Sequence, residues 1–426
     1  MSDVIHQGLS ARVPVNVEDL ASQDYASAVH QLLAVARTQL GMQVAWVSEF
    51  VGSDQVLRFV DSEPGVDAPK EGDRLPLNGS FCTRVLNGRF PALIPDAMAV
   101  PEAALLDVTA LLHIGSYIGV PLVGPQGVAV GMLCAIHDSA SPGMSARDLA
   151  AVQLLAELLR ELQDRALSAA KVVADRDAVR DALLRVIAGD GRHPVLQPIV
   201  DIATGRAVAA EGLTRFTAQS PVTGAEGQSR SPAQWFDDAA RQCLRDELEL
   251  AAASSVLDLL DGGAIPPDIA LTVNLGPGAL LGPGLARLLE GRPLERIVLE
   301  LTEHAPVTDY DELTATLKPY REAGLGLAVD DAGAGYASLT HVLAVRPDLL
   351  KIDMALTRGS DVDLPRRTLL CALVGFAKDT GSRVVAEGVE TEGELAAIHG
   401  CGVELAQGFL LAKPSASPAW QGMATV

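Results

Sequence analysis

Two adjacent aspartates, Asp330 and Asp331, close an apolar run in GLGLAVDDAGAGYASL, residues 324–339. Neighbouring side chains of a strand point to opposite faces, so the pair converges only where the strand ends. Carboxylates about 4 Å apart repel by roughly 4 kcal/mol at an effective dielectric near 20, a cost that protonation or cations must relieve. Other polar residues take equivalent places: Glu211 follows AVAA, Asn274 follows LTV, Glu300 follows IVL, Lys351 follows DLL, Glu387 follows VVA and Gln407 precedes GFLL. Charges on solvated helix faces would fall between these runs rather than on them. Any one of these residues alone reads as a strand cap; together they read as one constellation. Carboxylates and an amide, with no histidine in ligand spacing, suit hard cations such as Mg²⁺ or Mn²⁺. The set could hold two ions about 3.5–4 Å apart with Asp330 between them, which stabilises the attacking and leaving oxygens of in-line displacement at phosphorus. Lys351 would position the nucleophilic water or balance charge, roles compatible with an ion pair to one of the acids.

The elements that must carry these residues alternate. From about residue 191, eight Val/Ile/Leu-rich runs (VLQPIVDI, AVAAEGLTRF, IALTVNLG, RIVLELTEH, GLGLAVDDAG, DLLKIDMAL, RVVAEGVE and LAQGFLLAKP) are separated by stretches with apolar spacing near 3.6, several of them closing on glycine. Such alternation predicts an α/β protein with a (β/α)8-type barrel, whose active site forms at the C-terminal ends of its strands. Only DIATGR joins the first two strands, too short for a parallel crossover, so an antiparallel pair is expected there. Residues 23–165 read as an α+β domain with an antiparallel sheet, after an N-terminal extension over 1–22. In between, a stretch without proline or internal glycine carries Leu155, Leu158, Leu162, Ala166, Ala169, Val173, Leu183 and Val186 at threes and fours. It predicts a connecting helix over 146–190, overlapping the end of the front domain and leading to a barrel domain over 191–426. That helix either pairs with its copy in a homodimer or packs on its own domain.

At 426 residues the chain exceeds what one core usually serves, and 48% hydrophobic with 20% charged residues is the composition of a folded protein. A net charge of −21 disfavours DNA and anionic membrane surfaces as partners, so a phosphate-bearing ligand would need cations locally. With no apolar run near the roughly 20 residues of a membrane span and no signal pattern at the start, a cytoplasmic protein is expected. Five scattered cysteines without a C-x-x-C pair argue against a disulfide framework or structural zinc. Cys82 and His113 are open to two readings, as a cofactor or haem contact and, more plainly, as a buried thiol and a loop histidine. Trp46, Phe81 and Tyr117 read as core rather than ligand cage.

The segments LQPIVDIATGRAVAAEGLTRF, VNLGPGAL, LELTEH, AVDDAGAGYASL, LLKID, VVAEGVET and AQGFLLAKP, between residues 195 and 414, resemble the EAL-type cyclic di-GMP phosphodiesterases. The resemblance implies a TIM-like barrel with one antiparallel strand, two divalent cations, and hydrolysis of cyclic di-GMP to linear pGpG. It implies that Glu211, Asn274, Glu300 and Asp330 hold one ion and Asp330, Asp331 and Glu387 the other, with Lys351 serving the attacking water. Gln197, Arg215, Gln407 and Glu390 would contact substrate, and Glu303 would anchor the loop after the aspartates. The chain departs from that pattern in three places. Glu211-Gly212-Leu213 stands for Glu-Ala-Leu, keeping the ligand and loosening the backbone beside it. Ala332, Ala334 and Ala337 replace an aromatic and two hydroxyls of a DFGTGYSSL-like loop, and Ala240 in WFDDAARQ takes the place of a glutamate. These departures keep a second reading open, a cyclic di-GMP receptor with little or no turnover that signals to a protein partner. No GGDEF-type motif occurs, so synthesis of the dinucleotide is not expected. Residues 23–165 resemble a GAF domain through SFCTRVLNGRFPALIPDA and GVPLVGPQGVAVGMLCAIHDSASPGMSARDLAAVQLLAELL, which implies a sensory or dimerising role regulating the barrel; its ligand is not legible.

Overall fold

The computed structural model describes residues 23–124, 127–217, 230–302, 307, 309–332 and 336–425, with the side chains of 23, 24, 331 and 336–339 outside that description. The extension 1–22, Glu303 and Ala334 therefore lie outside the described residues. Contacts divide the chain into two compact units, residues 1–174 and 175–426.

In the first unit, β1 (Val44–Val51), β2 (Asp54–Ser62), β3 (Arg74–Pro76), β4 (Leu93–Ile94), β5 (Ser116–Val123) and β6 (Ala129–His137) form an antiparallel sheet in the order β3-β2-β1-β6-β5-β4. Strand alternation sends neighbouring residues into two different cores. Val44 and Trp46 join Leu57, Tyr117, Cys134 and Ile136 on one face. Ala45, Ile118, Val120, Leu133 and Ala135 face the other way, against Val29 and Leu33 of the helix Gln23–Leu40. With both faces covered, β5 and β6 are apolar almost throughout.

The helix Ala146–Ile187 runs 42 residues without a break. Its early turns bury Val152, Ala156 and Leu159 under the sheet, while Ala182, Leu183 and Val186 near its end pack with Phe216, Trp235 and Leu248. Leu154, Leu158, Val172 and Val173 along it are exposed. Among the described residues no helix is long and apolar enough to cross a membrane.

The second unit is a closed barrel of β7 (Arg192–Asp201), β8 (Arg206–Phe216), β9 (Ala270–Leu275), β10 (Ile297–Leu301), β11 (Gly326–Ala332), β12 (Leu349–Ile352), β13 (Arg383–Ala386) and β14 (Leu405–Ala406). All eight expected strands are present. β7 runs antiparallel to both β8 and β14 and every other pairing is parallel, because the tight turn after Asp201 returns the chain at once. Leucine, isoleucine and valine fill the space between strands and outer helices.

One expectation is corrected. Cys371, on the helix Leu364–Thr380, and Cys401, at the C-cap of the helix Glu392–Gly400, form a disulfide with Cα atoms 4.7 Å apart. The sequence separates them by 30 residues, and only the packing of the two helices brings them together. Cys82 and Cys134 are buried free thiols and Cys243 is exposed.

Candidate functional site

Strand register gathers the polar residues at the barrel rim. Glu300 on β10 pairs across to Asn274 on β9, and Gln197 on β7 to Glu211 on β8. Lys351, on β12, is 1% exposed and carries its ammonium into the middle of four carboxylates. Its Nζ lies 2.7 Å from Glu300 Oε2, 2.7 Å from Glu387 Oε1, 3.3 Å from Glu211 Oε2 and 3.3 Å from Asp330 Oδ1. Burial works against the ammonium, yet the four carboxylates outweigh it and hold the Lys351 pKa well above its ordinary value.

The acids outnumber that one cation. Burial lifts Glu300 to about 8; the Lys351 ammonium opposes the rise, and Glu211 and Asp330 add to it. Glu387 is likewise pushed well up by burial, against Lys351 and with Asp330 and Glu211. Glu211 is the hub of the polar network. It accepts hydrogen bonds from Asn274 Nδ2 at 2.9 Å and Gln407 Nε2 at 2.6 Å, and Gln407 Nε2 also reaches Gln197 Oε1 at 3.0 Å. Gln197 in turn donates to the Ala412 carbonyl at 3.1 Å.

This chain's own oxygens show whether a hard cation fits. Glu300 Oε1 and Asn274 Oδ1 are buried with no hydrogen-bond partner among the described residues, and Asp330 Oδ1 has only its ion pair to Lys351. Buried acceptors without donors, crowded by uncompensated carboxylates, are a donor set that divalent cations satisfy. Among the described residues no three carboxylates already enclose a single ion position, and the Lys351 ammonium stands between them.

A cavity of about 340 Å³ opens over this network, with Gln197, Glu211, Asp330, Lys351, Glu387 and Gln407 in its wall. Glu390 also borders it, ion-paired to Arg358. Arg215 does not reach it: the residue is exposed at the end of β8, donating to the Thr214 carbonyl at 3.4 Å. Asp331 belongs to the backbone of β11, but its side chain, like all of Glu303, lies outside the described residues. Met354, Arg358 and Phe409 complete the rim and went unnoticed in the sequence. Met354 and Phe409 stand inside the runs DLLKIDMAL and LAQGFLLAKP but past the residues that β12 and β14 keep, and Arg358 caps the short helix Met354–Thr357.

Two departures acquire physical reasons. A Cβ built on Gly212 would stand 2.1 Å from Val256 Cγ1, so the residue does not loosen the site. It admits the helix Arg245–Asp261 close against β8. Ala240 is exposed on the helix Pro232–Arg241 and does not line the cavity. The buried acid of that helix is Asp238, ion-paired to Arg230 and to Arg241.

Comparison with known proteins agrees with the barrel and with the front unit. The GAF domain model matches residues 24–161 and the EAL domain model residues 176–414. A cyclic di-GMP phosphodiesterase of Pseudomonas aeruginosa is 30% identical over 233 residues, 53% of this chain and 38% of that protein. BluF of Escherichia coli, a blue light- and temperature-regulated antirepressor, is 28% identical over 228 residues, 52% of this chain and 54% of that protein. The chain thus spans about two fifths of the length of the first of these relatives. The solved FimX EAL domain of Xanthomonas citri, in complex with c-diGMP, is 18% identical with a TM-score of 0.50 over 57% of this chain and 96% of that one, a likeness of fold. With more than half of its length matched by that one model, the chain belongs to the EAL domain family.

Proposed function

We propose that the barrel hydrolyses cyclic di-GMP to linear pGpG with divalent cations, Mg²⁺ or Mn²⁺. The observation that carries this reading is the cluster of four carboxylates around Lys351 at the base of the rim cavity. Glu211, Asn274, Glu300 and Asp330 would hold one ion, and Asp330, Asp331 and Glu387 a second. Bound there, the ions would supply positive charge to the phosphate oxygens and make a water more acidic. Lys351 holds its proton firmly, so it orients the attacking water and balances charge rather than acting as a base. Gln197, Gln407 and Glu390 line the cavity where the dinucleotide would lie. Water oxygen bonds to phosphorus, the bond from phosphorus to the ribose 3′ oxygen breaks, and that oxygen leaves with a proton. The cytoplasm, where such a nucleotide would be met, is the proposed location, with residues 23–165 regulating the barrel and a homodimer as the assembly.

A second reading is a receptor that binds cyclic di-GMP and signals to a protein partner. A relative named as an antirepressor at similar identity favours it, as do the alanines after Asp331. Purified protein incubated with cyclic di-GMP and Mg²⁺ or Mn²⁺, with product followed by chromatography, separates the two. Linear dinucleotide formed by the wild type and lost in Glu211→Ala is the expected result; tight binding without product in either metal would leave the receptor.

A further inference from the structure

The front unit contains a second cavity, of about 370 Å³, bounded by the sheet and the segments 75–82 and 105–114. Its rim includes Leu105 and Leu111, which are 84% and 66% exposed, so small molecules reach it from solvent. Cys82 is part of its wall, next to Trp46, Phe81 and Tyr117. Directly behind Cys82 stands Cys134 of β6, with the two sulfurs 3.7 Å apart. The Tyr117 hydroxyl joins them, 3.5 Å from Cys134 Sγ and 3.8 Å from Cys82 Sγ.

The space for this three-way meeting is written into β5. Gly119 pairs across to Cys134, and a Cβ there would lie 2.0 Å from the Tyr117 hydroxyl and 3.1 Å from Cys134 Sγ. Any other residue would drive the hydroxyl and thiol apart. The cluster belongs to the front unit, and the proposed hydrolysis makes no use of it.

We propose that Cys82 and Cys134 are a reactive dithiol at the cavity wall, in which Cys82 is oxidised by a small hydroperoxide and Cys134 resolves it to a disulfide. The Cys82 sulfur attacks the outer peroxide oxygen, so that a sulfur–oxygen bond forms and the oxygen–oxygen bond breaks. The departing oxygen takes up a proton and leaves as water or an alcohol, and Cys82 becomes a sulfenic acid. The Cys134 sulfur then attacks the Cys82 sulfur; the sulfur–sulfur bond forms, the sulfur–oxygen bond breaks, and hydroxide leaves as water with the Cys134 proton. Two electrons pass from the thiol pair to the hydroperoxide, and a dithiol reductant would reverse the change.

The order of roles follows from position. Both thiols are buried, Cys82 at 3% and Cys134 at 0% exposure, and of the two only Cys82 belongs to the cavity wall. Hydrogen bonding with Cys134, and less so with Tyr117 and Gln55, draws the Cys82 thiol below its ordinary pKa against the effect of burial. Burial pushes Cys134 well up. One sulfur is thus readier to be a thiolate and the other stays protonated until it resolves.

The test treats the whole protein with stoichiometric hydrogen peroxide, blocks remaining thiols with N-ethylmaleimide and maps peptides by mass spectrometry. A linked pair containing Cys82 and Cys134 should form while the exposed Cys243 is still mostly alkylated. In Cys134→Ala, Cys82 should be captured by dimedone as the sulfenic acid. In Tyr117→Phe, linking should slow about threefold, because the smaller thiolate fraction is partly offset by higher nucleophilicity. Loss of Cys243 alone, or Cys82 advancing to sulfinic acid with Cys134 still free in the wild type, would overturn the proposal. The wild-type map decides this even where a variant folds poorly.

Discussion

The two units hold cavities of similar size, about 340 and 370 Å³, built on opposite principles. The barrel's is floored by one buried ammonium among four carboxylates, and the front unit's is walled by aromatic rings, leucines and one thiol. In the first, position is set by charge: removing the ammonium leaves four carboxylates buried and uncompensated. In the second, position is set by shape, and single contacts carry little electrostatic weight. Equal volume therefore says nothing about sensitivity to substitution.

The sharpest way to break this contrast is Lys351→Met. If charge governs the barrel floor, chelator-treated protein should lose about 3–5 kcal/mol in urea unfolding, as expected when one partner leaves a buried ionic cluster. Hydrolysis should fall by about two to three orders of magnitude, the scale for losing a fixed charge aimed at the reacting group. A barrel indifferent to the change would put its floor in the same class as the front cavity.

Acidity gives a second handle. Glu300 in the folded chain titrates near 8, above the ordinary 4.5. A carboxyl raised on folding contributes stability that is complete below its ordinary pKa and is lost as pH rises through the folded value. Metal-free protein should therefore lose stability steadily from about pH 5 to beyond pH 8, and Mg²⁺ or Mn²⁺ should flatten the profile. Unfolding curves across that range, with and without chelator, measure it; Glu300→Gln should remove its own share of the slope and leave that of Glu387, which burial also raises.

Smaller effects test packing. Gly212→Ala restores the common Glu-Ala-Leu signature yet forces a methyl onto Val256, and should cost about 1–3 kcal/mol as overpacking does. Val256→Ala in the same chain should recover much of that loss in a double-mutant cycle. At the front cavity's rim, Leu111→Ser should leave the melting free energy within about 0.5 kcal/mol, because Leu111 is 66% exposed.

The same contrast explains what the sequence disclosed. The acids of the barrel floor stood out because a charge at the end of a Val/Ile/Leu run is anomalous, and the reversed β7 was legible from the shortness of DIATGR. The front cavity was not legible, since a leucine lining a cavity and one filling a core leave the same trace. Trp46, Phe81 and Tyr117 prove to be both, buried and at the cavity wall. Phe409 escaped because it sits in an apolar run read as strand, past the residues that β14 keeps, and Arg358 because it caps a four-residue helix too short to show a period. Arg215, placed with the substrate by resemblance, is exposed at the end of β8 and is not part of the cavity wall. The link between Cys371 and Cys401 depends on two helices packing side by side, a relation no spacing encodes.

Gly212 carries a consequence for how this chain can change. Because the space for its missing methyl is occupied by Val256, a move to alanine at 212 is costly while 256 is valine, and a smaller 256 without alanine at 212 leaves a void. Either single change thus gives a less stable chain, and the two positions exchange freely only as a pair. A search keyed to the three-letter signature would pass over such a chain, although the acid that the signature marks, Glu211, is in place.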